Sequence, residues 1–158
     1  MTDFSQEEFA IRVACVEDAA SVRALSRAAY AKWVPLIGRE PLPMSADYDQ
    51  AIRDHRIDLL FADGLLAGLI ETVDGEDHLL IVNVAVSPDH QGRGLGRRLL
   101  EHAERLAASL GLPELRLYTN QLFAANIAFY RRFGYVVDRE EPFMGGFTVH
   151  MSKRLTDG

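Results

Sequence analysis

Three glycines spaced by single residues follow an apolar run in Val84-Ala85-Val86-Ser87-Pro88-Asp89-His90-Gln91-Gly92-Arg93-Gly94-Leu95-Gly96-Arg97. Residues 79–86 are rich in β-branched types and read as a strand. A helical pattern begins near Gly94 or Leu95. A glycine turn between strand and helix lines up backbone N–H groups beside the unpaired N–H groups of the helix start, which makes an anion site. Gly92, Gly94 and Gly96 remove the side chains that would hold a pyrophosphate away. Arg93, Arg97 and Arg98 bring positive charge to that turn. A P-loop is excluded, because no Lys-Ser or Lys-Thr follows the glycines. The dinucleotide pattern GxGxxG also fails, since Arg97 stands where its last glycine belongs.

The elements that must hold this turn can be read from periodicity. Residues 57–62 and 65–73 are apolar runs joined by Asp63-Gly64, a strong hairpin signal. With residues 79–86 they form an antiparallel meander of three strands. Leu95, Leu99, Ala103, Leu106 and Leu110 share one face of a long helix that Gly111 stops. A first strand is expected over residues 11–14 and a helix over 17–30, with the negative charge of Asp18 in its first turn. Residues 33–44 carry Pro35, Gly38, Pro41 and Pro43 and read as an irregular loop, followed by a short helix over 48–53. A strand is expected over 115–118, a helix over 124–133 and two last strands over 135–137 and 147–151. Residues 140–146 read as a loop able to cover a bound acceptor. The pattern is an α/β layered fold with no internal repeat. It predicts a tail over residues 1–10 and one domain over 11–155.

Gln91, Gly94 and Gly96 form the pattern Gln-x-x-Gly-x-Gly, which resembles the pyrophosphate motif of the GNAT superfamily of acetyl-CoA-dependent N-acetyltransferases. The resemblance runs from about Ile11 to Leu155. It is strongest in VAVSPDHQGRGLGRRLLEHAE, with a second segment in LYTNQLFAANIAFYRRFGY. It implies a mixed, mostly antiparallel sheet of six to seven strands flanked by about four helices. It also implies that the fourth strand splays from the fifth to admit the pantetheine arm of acetyl-CoA. The arm would pair with the backbone of Val84, Ala85 and Val86. An amide near Val84 would polarise the thioester carbonyl. The backbone of Gly92, Arg93, Gly94, Leu95, Gly96 and Arg97 would hold the pyrophosphate. Asn126 and Tyr130, one helical turn apart on a shared face, would bind the cofactor and protonate the departing thiolate. Tyr130 read without the resemblance is a core aromatic, as Phe129, Phe133 and Tyr135 are.

The acceptor implied is an amine: a small amine, antibiotic, polyamine, amino acid or protein terminus. An alkylammonium titrates near ~10.4, so neutral pH leaves a barrier of roughly 4–5 kcal/mol unless a base helps. Relatives often carry that base in Leu-Ile-Glu-Asn-Val-Ala-Val. This chain reads Leu80-Ile81-Val82-Asn83-Val84-Ala85-Val86, which puts Val82 in the place of the glutamate. Three routes stay open: Glu71 acting through water, His78 or Asn83 orienting a water, or an acceptor of low basicity. Glu71 is otherwise an exposed strand residue. Tyr30, Trp33 and Tyr48 are candidates for the acceptor pocket, and Trp33 is equally a core cover or a dimer contact.

The chain of 158 residues has 48% hydrophobic and 25% charged residues and suits one globular domain. Its net charge of −6 argues against nucleic-acid binding and docking on an anionic membrane. The single cysteine, Cys15, excludes an intrachain disulfide and a cysteine-based zinc site, and reads as a small packed residue. His55, His90, His102 and His150 lack metal-ligand spacing, so no metal is expected, and solvation accounts for His102. Asn120 is placed to cap the helix after it. Arg131 and Arg132 read as a solvated face. The polar, acidic N-terminal residues do not read as a signal peptide, and no apolar run approaches bilayer length, so a cytoplasmic setting is expected. A homodimer is compatible with the resemblance. The competing reading is a non-catalytic acyl-CoA-binding sensor or regulatory module, motivated by Val82. A third is transfer of an acyl chain other than acetyl.

Overall fold

The computed structural model describes residues 8–155. Seven strands, β1 (Phe9–Val13), β2 (Arg56–Ala62), β3 (Leu65–Asp74), β4 (Leu79–Val86), β5 (Glu114–Asn120), β6 (Val136–Phe143) and β7 (Gly146–Arg154), form one sheet in the order β1-β2-β3-β4-β5-β7-β6. Every neighbouring pair is antiparallel except β4 and β5. The helices are α1 (Ala19–Tyr30), α2 (Val34–Ile37), α3 (Leu42–Ser45), α4 (Tyr48–Asp54), α5 (Leu95–Ser109) and α6 (Ala124–Arg132).

The two faces of the sheet bury different helices. Val22, Leu25 and Ala29 of α1 pack with Tyr48 of α4 on Ile57, Leu59, Leu69 and Ala85. Leu95, Leu99, Ala103 and Leu106 of α5 pack on Leu60, Ile70, Leu79 and Leu115. Alternation along the central strands explains the division, since Leu59 and Leu60 point to opposite faces, as do Leu69 and Ile70.

That alternation breaks in β4. Thr72 pairs with Ile81, but Glu71 pairs with Asn83, so Val82 is an extra residue, a β-bulge. Leu79 and Ile81 lie on the α5 face. Beyond the bulge the phase inverts, and Ala85 packs on the α1 face. Asn83 turns to the same side, where its Nδ2 donates to Ser26 Oγ and to Tyr48 Oη at 3.3 Å each.

The strand before the glycine turn parts from its neighbour at the same place. β4 and β5 pair in parallel only over Leu79, Ile81 and the residue between, opposite Leu115, Arg116 and Leu117. From Val82 onward the two strands have no ladder between them.

Several boundaries differ from the sequence reading. Of the expected tail, residues 1–7 lie outside the described residues, while Phe9 and Ala10 already pair with Ala62 and Phe61. The proline-broken segment holds two helical turns, with prolines in the first turn of each, where a missing N–H costs nothing. Residues 140–146 do not form a covering loop. Glu140 to Phe143 continue β6 opposite Val149 to Gly146, and only Met144 and Gly145 turn. The charged run Asp138–Glu141 hides this strand, because an edge strand needs little apolar alternation and tolerates Pro142.

Candidate active site

The parting of β4 and β5 opens a cavity of about 400 Å³. Its walls come from both splayed strands, from the α1–α3 segment, from α6 and from the β6–β7 hairpin, whose Glu141 and Phe143 belong to the segment expected to cover an acceptor. Ser87 N–H donates to Ala67 C=O at 2.7 Å, so period-two alternation directs the main chain of Val84 and Val86 into the gap. Their carbonyls are engaged by side chains. Tyr30 Oη lies 3.2 Å from Val84 O, and Gln91 Nε2 donates to Val86 O at 3.3 Å. Their N–H groups face the gap without a strand partner. Ala85 lies opposite Leu69, buried and turned towards β3.

The glycine turn sits at the end of β4. Gly92 and Gly94 have φ of 81° and 76°, a left-handed backbone that glycine adopts without strain, and space around both is open. Gly94 is the N-cap of α5, and the first helical bond runs from Arg98 N–H to Gly94 C=O at 3.1 Å. The N–H groups of Leu95, Gly96 and Arg97 therefore have no partner within the helix. Gly96 has a different reason for lacking a side chain, since a Cβ there would stand 3.3 Å from Phe129 Cζ on α6. Arg97 pairs with Glu101 at 3.2 Å, and Arg98 lies 3.8 Å over the Phe9 ring. Open main-chain donors, a side-chain-free cradle and a gap with unpaired strand edges suit a pyrophosphate carrying an extended amide-containing arm.

Asn126 and Tyr130 both line the cavity from α6. Tyr130 C=O accepts from Phe133 N–H and Tyr135 N–H at 3.1 and 3.0 Å, which fixes the helix end that carries it. Burial pushes the Tyr130 phenol up to about 12. Burial, then the neighbouring Tyr130 and Tyr48, raise the Tyr30 phenol well above its ordinary value. Both phenols are therefore protonated, neutral donors at physiological pH.

Glu71 is 4% exposed, not the solvent-facing strand residue that simple alternation suggests. Its Oε2 lies 2.6 Å from His55 Nδ1, at the C-terminal end of α4. It lines a side cavity of about 340 Å³ that shares Val82, Asn83 and Tyr118 as walls with the main one. His78 is bonded to Asp77 at 2.8 Å and lies outside both cavities, whereas Asn83 lines both.

Other expected residues fall into plainer roles. Trp33 stacks on Phe123, with ring centroids 4.4 Å apart, and only Phe123 reaches the cavity. Tyr48 is buried and lines the side cavity. Cys15 is exposed, not packed, with Sγ 3.3 Å from Asp18 Oδ2. Asn120 does not cap α6; its Oδ1 accepts from Leu122 N–H at 2.9 Å in a local turn. His102 is not simply solvated, because its Nε2 lies 3.2 Å from the buried Asp58 Oδ2. Tyr118 and Arg39 line the main cavity and were not singled out from sequence. Tyr118 had a readable signal: Leu115 and Leu117 are the apolar phase of β5, which leaves Tyr118 on the opposite one. Arg39 had none. Among the described residues no group of three or more His, Cys, Asp or Glu could hold a metal ion.

A strand splayed at a bulge, a glycine turn opening a helix and a tyrosine on the cavity wall thus lie around one gap. The sequence profile described as acetyltransferase (GNAT) family matches residues 22–135, and the chain belongs to that family. A ribosomal protein bS18-alanine N-acetyltransferase of Salmonella typhimurium is 40% identical over 76 residues, covering 48% of this chain and 51% of that protein. A streptothricin acetyltransferase of Streptomyces lavendulae is 37% identical over 76 residues, covering 47% and 40%. The match thus spans about half the length of these curated relatives. The solved structure of the PaiA N-acetyltransferase from Thermoplasma acidophilum, in complex with coenzyme A, superposes with a TM-score of 0.80. It is 22% identical and covers 94% of this chain and 99% of that one, a likeness of fold.

Proposed function

We propose that this protein is an acetyl-CoA-dependent N-acetyltransferase that passes the acetyl group directly to an amine acceptor bound beside it. The observation that carries the reading is the gap between β4 and β5 beyond Ile81, with Tyr130 and Asn126 on its wall and the glycine turn at its end. The main-chain N–H groups of Leu95 to Arg97 would hold the pyrophosphate, together with the turn formed by Gln91 to Gly94. The N–H groups of Val84 and Val86 would pair with the pantetheine arm, and the Val84 amide would oppose the charge that develops on the thioester carbonyl oxygen. Acetyl-CoA, when bound, supplies the activated acyl group and the thiolate leaving group. Tyr130, whose phenol keeps its proton to about 12, would protonate that thiolate.

Glu71 is the base in this reading. It lies on the strand facing the bulge, opposite Asn83 and next to Val82 in the ladder. A water in the shared wall region would carry the proton from the acceptor ammonium to its carboxylate. A cytoplasmic setting accords with a free, exposed Cys15.

The test combines binding with turnover. Calorimetry should show acetyl-CoA binding, and release of free CoA thiol should follow addition of spermidine, an alanyl-terminated peptide, streptothricin or free amino acids. Tight acetyl-CoA binding with no thiol release on any amine, and the same behaviour in Tyr130→Phe, would favour the second reading, a non-catalytic acyl-CoA sensor. Val82 in the bulge is the observation that keeps that reading in view.

A further inference from the structure

Arg39 lines the main cavity and has no part in the transfer as described. It stands between α2 and α3, with its guanidinium carbon 5.9 Å from the centroid of the Phe143 ring at the end of β6. Among the described residues its hydrogen bond runs from Nη1 to the C=O of the adjacent Glu40, at 3.3 Å. The Glu40 carboxylate is already taken, by Arg27 at 2.8 Å. Arg39 is therefore a half-buried guanidinium with no carboxylate partner among the described residues. The geometry points to a carboxylate-binding subsite at Arg39, which selects as acceptor an amine that also bears a carboxylate on an apolar body: an apolar amino acid or a short apolar peptide. The inference rests on the transferase reading and narrows its acceptor.

The rest of the lining agrees in polarity and charge. Ile37, Leu42 and Pro43 come from the α2–α3 segment, Phe123 precedes α6 and Phe143 ends β6. They offer contact area to an apolar body. Glu141 is the single carboxylate of this lining among the described residues. Arg139 pairs with it at 3.0 Å, and His150 lies 3.4 Å away. A polyamine, which carries several cations, would find no free carboxylate on these walls. An acceptor carboxylate would find a planar fork of N–H donors, most of them unengaged. One guanidinium matches one carboxylate, whereas a phosphate carries more charge and calls for further donors. None of the residues from Gln91 to Arg97 lines this cavity, so Arg39 stands apart from the turn proposed for the pyrophosphate.

Leucine and leucinamide isolate the effect. They share the amine and the apolar side chain and differ in the carboxylate. The charge of that carboxylate favours the protonated form of the neighbouring amine, so at a given pH the amide gives up its proton more readily. A site indifferent to the carboxylate would use the amide at least as well. A preference for leucine has to come from a group that binds the carboxylate.

The experiment measures CoA thiol release with L-leucine, L-leucyl-L-leucine, their C-terminal amides and spermidine, and titrates both acids into the protein saturated with CoA. Wild type should use one of the acids with kcat/KM about 10- to 100-fold above that of its amide. The acid that leads tells an amino acid from a peptide. Arg39→Gln should lower kcat/KM for the acid by the same factor and for the amide by much less, with acetyl-CoA affinity unchanged. Thermal unfolding reports whether the variant is folded, and the comparison of acid with amide in wild type stands without it. Amides used as well as their acids, spermidine preferred to both acids, or a folded Arg39→Gln that lowers acid and amide alike overturns the subsite and leaves the transferase standing. Binding of either acid that Arg39→Gln abolishes, with no thiol release from any amine, keeps the subsite and removes the transferase reading. Neither binding nor release removes both.

Discussion

The Tyr30 hydroxyl donates to Asn83 Oδ1 at 2.8 Å and lies 3.2 Å from the Val84 carbonyl oxygen, so one side chain at the end of α1 fastens β4 just past its bulge. Asn83 is 3% exposed, and its amide nitrogen reaches Ser26 and Tyr48. Helix α1 is thereby tied to the splayed strand across the main cavity, which Tyr30 and Val84 both line.

Tyr30→Phe should therefore destabilise the fold although it deletes a single oxygen. The buried Asn83 Oδ1 loses its donor, which costs about 1–3 kcal/mol. Urea unfolding followed by circular dichroism should show a lower midpoint at an unchanged slope. An unchanged midpoint would mean that water replaces the hydroxyl at no cost.

Tyr130→Phe should reduce kcat by about 100-fold and leave acetyl-CoA affinity nearly unchanged, because the ring still fills its place against Phe129 and Tyr135. The phenol holds its proton to about 12, so it should cause no alkaline loss of kcat below its ordinary value of ~10. Steady-state rates from pH 6 to 10, with calorimetric titration of acetyl-CoA, check both statements.

Gly94→Glu should abolish acetyl-CoA binding, since it places a carboxylate at the helix start proposed to hold the pyrophosphate. Gly94→Ala isolates the backbone term. With φ at 76° it should cost about 1–2 kcal/mol of stability and leave residual binding. Calorimetry and thermal unfolding of the two variants separate the contributions.

Acid should weaken the fold through Asp58. Burial alone would raise this carboxyl, but the close His102 ring at 3.2 Å and the hydrogen bond from Arg56 overcome it and hold the group below its ordinary value. A carboxyl whose folded value is depressed adds stability at pH above its ordinary ~3.9, and that stability is lost as pH falls below it. Asp58→Asn should unfold more readily at pH 6, by about 2–3 kcal/mol, and lose less than wild type between pH 5 and 3. Urea midpoints across that range provide the measurement.

Local signals carried much of the architecture. Asp63-Gly64 gave its hairpin, with φ of 49° and 81° at the two turn residues. Gln91 to Gly96 gave the strand-to-helix turn, and Asn126 and Tyr130 reached the same cavity. What escaped was decided by distant partners. The bulge at Val82 inverts the phase of Leu79–Val86, and no residue in that run announces it, so the burial of Glu71 could not be read from alternation. His55 and Glu71 are sixteen residues apart, and His102 meets Asp58 across the α5–sheet interface. Sequence spacing is silent about such meetings. β6 was cut short because its charged, solvent-facing residues follow the logic of an edge strand.

The position of β7 sets the order in which the site can be assembled. β5 has only three ladder partners on β4, whereas its whole length, Glu114 to Asn120, pairs with β7. The half built from β1 to β4, α1 and α5 can form as each segment emerges, because its contacts run between consecutive strands. The other wall must wait until β7 threads between β5 and β6. During synthesis the gap between β4 and β5 is thus one-sided until β7 leaves the ribosome, so a nascent chain would expose the apolar edge of β4 and should be most vulnerable to chaperone capture at that stage.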